Sequence, residues 1–300
     1  MLAIIIPYYK LTFFEQTLES LQNQTDKRFN VYIGDDASPE NPVFLLEKFK
    51  EKVDFVYHRF EENLGGTSLV KQWQRCISLS KNEEWIMILG DDDLLSKNVV
   101  EEFYSNLPEF ENKTDVVRFA SKSISEENQK ISEKFEHPKW EAALSFYYKR
   151  FKGLTRSSLS EHVFTRNSYL KYGFREYPLA WHSDDIAWID FSQNKPVFAI
   201  NSSYVIVRHS KINITGKKDN FDSKHKAEQL FFTDLVYEKL DFFKSNQKNE
   251  FLMTYEIAIK RYRKLTFKEW KFLFENYLKN AEIVPFLKCI RRFFKDNLAL

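Results

Sequence analysis

Trp85-Ile86-Met87-Ile88-Leu89-Gly90-Asp91-Asp92-Asp93-Leu94-Leu95 stays apolar for five residues and then sets three carboxylates side by side. The apolar half reads as a fully buried strand. Neighbouring carboxylates repel one another and are costly unless something positive neutralises them. A helix N-cap explains one of them, such as Asp93, but three exceed what a cap needs. Working outward, Leu2–Ile6, Phe29–Ile33, Val53–Tyr57 and Val116–Ala120 read as further buried strands. Thr12–Asn23, Pro42–Lys50, Thr67–Ser80 and Lys97–Leu107 read as the helices between them, with Leu69, Trp73, Cys76 and Ile77 at helical spacing. Strand–helix alternation with unbroken apolar strands predicts an α/β fold: a doubly wound, mainly parallel sheet with helices on both faces. Ligands of such sheets bind at the carboxyl ends of the strands.

Four polar clusters fall at those ends. Pro7-Tyr8-Tyr9 follows the first strand and Gly34-Asp35-Asp36-Ala37-Ser38 the second. Glu62-Asn63-Leu64-Gly65-Gly66 lies beyond the third, and the aspartate run follows the fourth. A divalent Mg²⁺ or Mn²⁺ suits that run, because such an ion takes one or two protein carboxylates and fills its shell with phosphate oxygens and water. Asp36 reads equally as a turn residue and as an acceptor for a base N–H or a ribose hydroxyl. The paired glycines let backbone approach a ligand closely or form an ordinary turn. Lys71 and Arg75 on the next helix read either as groups facing phosphates or as solvated charges, the commoner role of such residues. Trp181-His182-Ser183-Asp184-Asp185 is a second acidic cluster, read either as a helix start or as a general base with a sugar-contacting Trp181 or His182. Arg208-His209 closes a later strand, where Arg208 suits a phosphate and His209 either a metal shell or a structural role.

Past Ser121 the pattern becomes irregular. Trp140–Phe151 reads as a helix, Pro196–Arg208 as two strands, and the chain beyond about Lys224 as helical to its end. The expected division is 1–223, with halves 1–120 and 121–223, followed by a helical C-terminal extension over 224–300. Forty-five Lys and Arg against forty-three Asp and Glu give no reason to expect a nucleic-acid partner. Cys76 and Cys289 lie far apart with no zinc-type spacing, so a reducing cytoplasm is expected. The N-terminal apolar run is too short for a signal peptide, and no stretch reaches the ~20 apolar residues of a membrane span. Residues 284–300 form a basic amphipathic helix for which two uses stay open: packing on its own domain or on a second subunit as a homo-oligomer, or resting on the inner face of a membrane.

Together these motifs resemble the family 2 inverting glycosyltransferases, which have the GT-A fold. The likeness covers about residues 1–210. Ile4–Tyr9 looks like the family's opening strand and turn, Asp35-Asp36-Ala37-Ser38 like its base-binding motif, and Asn63-Leu64-Gly65 like its Asn-x-Gly. Leu89-Gly90-Asp91-Asp92-Asp93 stands in the place of its metal motif, although Gly90 replaces the first aspartate. The Ala-Arg-Asn expected after Asn-x-Gly is absent. The resemblance implies a nucleotide-sugar site built from Pro7, Tyr8, Tyr9, Asp36, Asn63, Gly65, Lys71, Asp91 and Arg208. It implies Mn²⁺ or Mg²⁺ held by Asp92 with Asp93 and His209, a base Asp185 beside Asp184, and an acceptor contact at Trp181 and His182. The implied reaction is transfer from a nucleoside diphosphate sugar, UDP-linked by expectation, to a saccharide or lipid-linked saccharide hydroxyl with inversion, in bacterial surface polysaccharide synthesis. Two rivals are a sugar-phosphate nucleotidyltransferase, whose Gly-rich basic loop is missing here, and a non-catalytic nucleotide-sugar-binding protein.

Overall fold

The computed structural model describes residues 1–300 except 128–129, 212, 215, 218, 281–282 and 298–300. The chain divides into two compact units, Met1–Asn220 and Phe221–Leu300. In the first, strands β1 (Leu2–Tyr8), β2 (Phe29–Asp35), β3 (Phe55–Arg59) and β4 (Trp85–Ile88) alternate with helices α1 (Phe14–Gln22), α2 (Val43–Phe49) and α3 (Leu69–Ile77). A two-residue strand β5 (Leu94–Leu95), helix α4 (Val99–Phe110) and strand β6 (Val116–Ser125) follow. Next come β7 (Trp140–Ala142), α5 (Ala143–Phe151), β8 (His162–Thr165), α6 (Arg166–Tyr172), α7 (Ser183–Ser192) and β9 (Pro196–His209).

One sheet runs β3-β2-β1-β4-β8-β6-β9-β5, with β7 on β9. Its first four strands are parallel. β8 then pairs antiparallel with both β4 and β6. The sheet is thus mixed and mainly parallel in its first half, in line with the α/β fold expected from the sequence. Alternation along β1 shows how the sequence builds two layers: Leu2, Ile4, Ile6 and Tyr8 enter one core with Phe14, Leu46 and Phe103, while Ala3 and Ile5 enter the other with Trp73, Phe146 and Trp188. Both faces are therefore covered by helices.

Past β6 the structure corrects two expectations, and it adds two short strands. Trp140–Phe151 is not one helix, because Trp140–Ala142 pairs with Pro196–Phe198 as an edge strand before the helix begins. Pro196–Arg208 is one strand and not two; its register on β6 jumps between Phe119 and Ala120, where Ile200 gives way to Tyr204 and the intervening residues bulge out. The short strands β5 and β8 escape a periodicity reading because two to four residues carry too little pattern.

In the second unit, α8 (Phe221–Asp234), α9 (Ser245–Lys260), α10 (Phe267–Lys279) and α11 (Ile283–Asn297) pack as helices alone among the described residues. Thr266 and Glu269 form a capping box that starts α10.

Candidate active site

Hydrogen bonds stitch together the loops after β1, β2 and β4. Asp91 Oδ2 accepts the backbone N–H groups of Tyr9 and Lys10, each at 2.8 Å. Ser38 donates to the Tyr9 carbonyl at 2.6 Å. Asp36 accepts the N–H of Leu64 at 2.8 Å and of Gly65 at 2.9 Å, and an Arg75 guanidinium N–H. The Arg75 guanidinium in turn lies 3.9 Å from the Phe60 ring centre. The Asn-x-Gly turn is closed by Asn63 Oδ1, which accepts the Gly66 N–H at 2.7 Å. A Cβ on Gly65 would sit 2.5 Å from Asp36 Oδ2, so this position requires glycine for the close approach. Neighbouring Asp35 bonds Tyr57 and Arg59, each at 2.7 Å.

The aspartate run divides its labour. Asp93 is buried: Oδ2 takes the Ser160 hydroxyl at 2.6 Å and Oδ1 takes the Arg208 N–H at 2.8 Å. Ser160 also accepts the Gly90 N–H at 3.0 Å. Arg208 donates Nε to the Asp92 carbonyl at 3.1 Å and Nη2 to Gln16 at 2.6 Å, and lies 4.0 Å from the Phe13 ring centre. Its Nη1 is buried without a hydrogen-bond partner. Burial, then the charge of Asp92, pushes Asp91 and Asp93 each up to about 7. Burial also raises Asp92, opposed by Asn213, Lys10 and Arg208. Burial and mutual repulsion therefore make the fully ionised run costly.

A cleft of about 560 Å³ has Trp181, His182, Asp184, Asp185 and His209 in its lining; the aspartates of the run do not line it, but Leu159, Val207 and His209, next in sequence to Ser160 and Arg208, do. Leu69 and Trp73 of α3 form another wall, on the helix whose Arg75 holds Asp36. Asp184 and Asp185 occupy the first turn of α7, where acids complement the helix N-terminus. His182 Nδ1 lies 2.8 Å from Asp185 Oδ2, and Arg150 Nε lies 3.8 Å from Oδ1. The backbone is strained there: Leu179, Ala180 and His182 have φ of 60°, 52° and 69°. Non-glycine residues in this region persist only where surrounding structure holds them, and they cluster at functional sites. The two carboxylates are pushed apart. Burial, then the charge of Asp185, raises Asp184 to about 7. Burial would raise Asp185 as well, but His182 and Arg150 hold it below the usual carboxylate range.

Several sequence-predicted residues stand elsewhere than expected. Tyr8 is fully buried in the β1 core and donates its hydroxyl to the Glu40 carbonyl at 2.7 Å, so its ring faces the core; period-two alternation sends it inward. Pro7 is half-buried within β1 and Tyr9 is partly exposed. Lys71 is exposed on α3, whereas Arg75, one turn on, folds back onto Asp36. Among the described residues no three Asp, Glu, His or Cys side chains gather closely enough to hold a metal ion. Asp92, Asp93 and His209 therefore form no complete shell, because the Asp93 carboxylate turns inward to Arg208 and Ser160. Sequence reasoning also missed Ser160, in a segment without periodicity or motif, and Arg150, which nothing local sets apart from the other charges of its helix.

The sequence profile of glycosyl transferase family 2 matches residues 3–177, and the chain belongs to that family of glycosyltransferase enzymes. It is 26% identical over 110 residues to the glycosyltransferase GlyG of Streptococcus pneumoniae serotype 4, and 25% identical over 161 residues to the uncharacterized glycosyltransferase YfnE of Bacillus subtilis. These alignments span 36% and 53% of this chain, but only 36% and 35% of the relatives' own lengths. The fold is similar to that of residues 1–349 of S. aureus TarS, solved in complex with UDP-GlcNAc, with a TM-score of 0.64 at 15% identity over 95% of this chain and 82% of that one.

Proposed function

We propose that this protein transfers a sugar from a nucleoside diphosphate sugar, UDP-linked, to a hydroxyl of a saccharide or lipid-linked saccharide, with inversion. The observation that carries the reading is the Asp184–Asp185 pair on a strained turn in the cleft, with Asp185 held ionised by His182 and Arg150. An ionised carboxylate suits the removal of the acceptor's proton as its oxygen attacks the anomeric carbon. Asp185 is the base; Trp181 flanks the acceptor. The UDP-GlcNAc held by TarS supports a uridine donor on the loops after β1, β2 and β4. Tyr9, Asn63, Gly65 and Asp91 belong to that side, with Asp36 and Arg75 setting the shape of the Asn-x-Gly turn.

The crowding of three buried or half-buried carboxylates at residues 91–93, which raise one another's cost of ionisation, and the unpaired Nη1 of Arg208 fit a divalent cation and a phosphate at this edge. Asp92 would hold Mn²⁺ or Mg²⁺, with His209 in the neighbouring wall; one protein carboxylate is enough when donor phosphates and water complete the shell. Such an ion supplies charge stabilisation to a departing diphosphate. Bacterial surface polysaccharide synthesis and a cytoplasmic setting belong to this same reading.

Incubation with UDP-sugars and Mn²⁺ tests it. Release of UDP, lost on chelation, is the expected result. Pyrophosphate release would assign a nucleotidyltransferase, and no turnover of any nucleotide sugar a binding protein. Asp185→Asn keeps the shape of the side chain and should cut kcat by ~10²–10⁴, the usual contribution of a general base. Near-wild-type kcat in that variant removes Asp185 from the role.

A further inference from the structure

We propose that the exposed seam of α11 docks this protein on an anionic membrane surface. One face of the helix is already used inside the second unit. Cys289 is fully buried, Phe293 packs against Trp270 and Phe274 with ring centres 5.4 Å away, and Arg292 pairs with Glu256 at 2.8 Å. A second apolar stripe is left over. Ile283, Leu287, Ile290 and Phe294 recur at i, i+4, i+7 and i+11, the spacing of one helix face. Ile283, Val284, Leu287 and Phe294 leave between 47% and 72% of their surface exposed.

Charge decides what covers this stripe. Lys288, Arg291 and Lys295 are exposed along its flank. The one acid in Ile283–Asn297, Asp296, is taken by Lys260 at 2.6 Å. The exposed side of α11 is thus apolar and cationic with no carboxylate of its own. The bias extends to the unit: residues 221–300 carry sixteen Lys and Arg against eleven Asp and Glu, a net +5, whereas residues 1–220 carry twenty-nine against thirty-two. A second copy meeting the first across this seam would add cationic flanks to cationic flanks. A bilayer rich in anionic headgroups offers the opposite charge, and an apolar boundary for Leu287 and Phe294. No helix among the described residues is long and apolar enough to cross a membrane, so the geometry is that of a helix lying in the interface.

The test uses the full chain and sedimentation with vesicles, either equimolar phosphatidylglycerol and phosphatidylcholine or phosphatidylcholine alone. Binding to the anionic vesicles only, weakened by added salt, is expected. Lys288→Gln/Arg291→Gln/Lys295→Gln should lower partitioning on the order of a hundredfold, from about 1 kcal/mol per cation at the surface. Leu287→Ser/Phe294→Ser should lower it to a similar extent by removing apolar burial. All five side chains are exposed, so melting temperatures should match wild type and exclude unfolding as the cause. Equal binding to both vesicle types, binding to neither, or unchanged binding in both variants overturns the proposal. So does a wild-type dimer that Leu287→Ser/Phe294→Ser dissolves, which would give the seam to a second copy.

Discussion

Gly65→Ala is a sharp test of the lock at the edge of the sheet. The added Cβ would lie 2.5 Å from Asp36 Oδ2, at least half an ångström inside the 3.0 Å that real Cβ contacts keep. Neither side can yield easily. The carboxylate is buried and anchored by Arg75 and by the Leu64 N–H at 2.8 Å, and the turn is closed from behind by Asn63. The Gly65 N–H bond to Asp36 must therefore break, and the Leu64 bond to the same carboxylate weakens with it. Hydrogen bonds to a charged group contribute about 1.5–3 kcal/mol each, so a loss of about 2–4 kcal/mol is expected. For a unit of this size that lowers its melting temperature by roughly 5–10 °C. Gly66→Ala is the control: its Cβ would meet only the Asn63 side chain at 3.1 Å, a contact that a shift of a few tenths of an ångström relieves with the Asn63 bond to the Gly66 N–H kept, so the change should stay below about 1 kcal/mol. Calorimetry of both variants is the assay. Gly65→Ala melting within about 2 °C of wild type would refute the claim that Asp36 and this turn are one rigid element.

Two further outcomes follow from buried charge. Arg118 is fully buried, with Glu141 at 2.6 Å and Lys149 bonding the same carboxylate at 2.5 Å; Glu141→Gln should cost about 3–5 kcal/mol, whereas Arg118→Met with Glu141→Leu recovers most of it. Denaturant titration measures both, and equal losses in the single and double variants would contradict the burial argument. Asp184 has a folded pKa near 7 against 3.8 for the free side chain. Between those values the folded state keeps a proton that the unfolded chain has released, so this group makes stability fall as pH rises from about 4 to about 7. Asp184→Asn should flatten that part of the melting profile and gain on wild type above about pH 7; parallel profiles would remove the effect.

What the sequence makes legible follows from how much chain each feature occupies. Strands β1, β2 and β4 are apolar runs between amphipathic helices, and long runs of one pattern leave few alternatives; β3 is not the buried strand expected over Val53–Tyr57 but a largely exposed edge strand, Phe55–Arg59, because it has a neighbour on one side only. β5 and β8 are stabilised by neighbours distant in sequence, so nothing local announces them. At the candidate site the motifs place the right loops at one sheet edge, but they do not tell which carboxylate turns outward. Asp93 and Asp92 are indistinguishable in sequence; the partners at Ser160 and Arg208, 67 and 115 residues away from Asp93, decide it. Tyr8 shows the reverse case: strict alternation along β1 already sends its ring into the core, and only the motif suggests otherwise. Lys71 and Arg75 share a helix flank, and the anion within reach, Asp36, selects the arginine.

The small cluster in which Asp93 grips Arg208 and Ser160, while Ser160 grips Gly90, acts as a rivet through three separate passes of the chain. Prising the loop after β4 away from the end of β9 would break several buried bonds at once. The loop after β4 and the end of β9 consequently move as one body, and any opening or closing of the site must be carried by segments outside this junction.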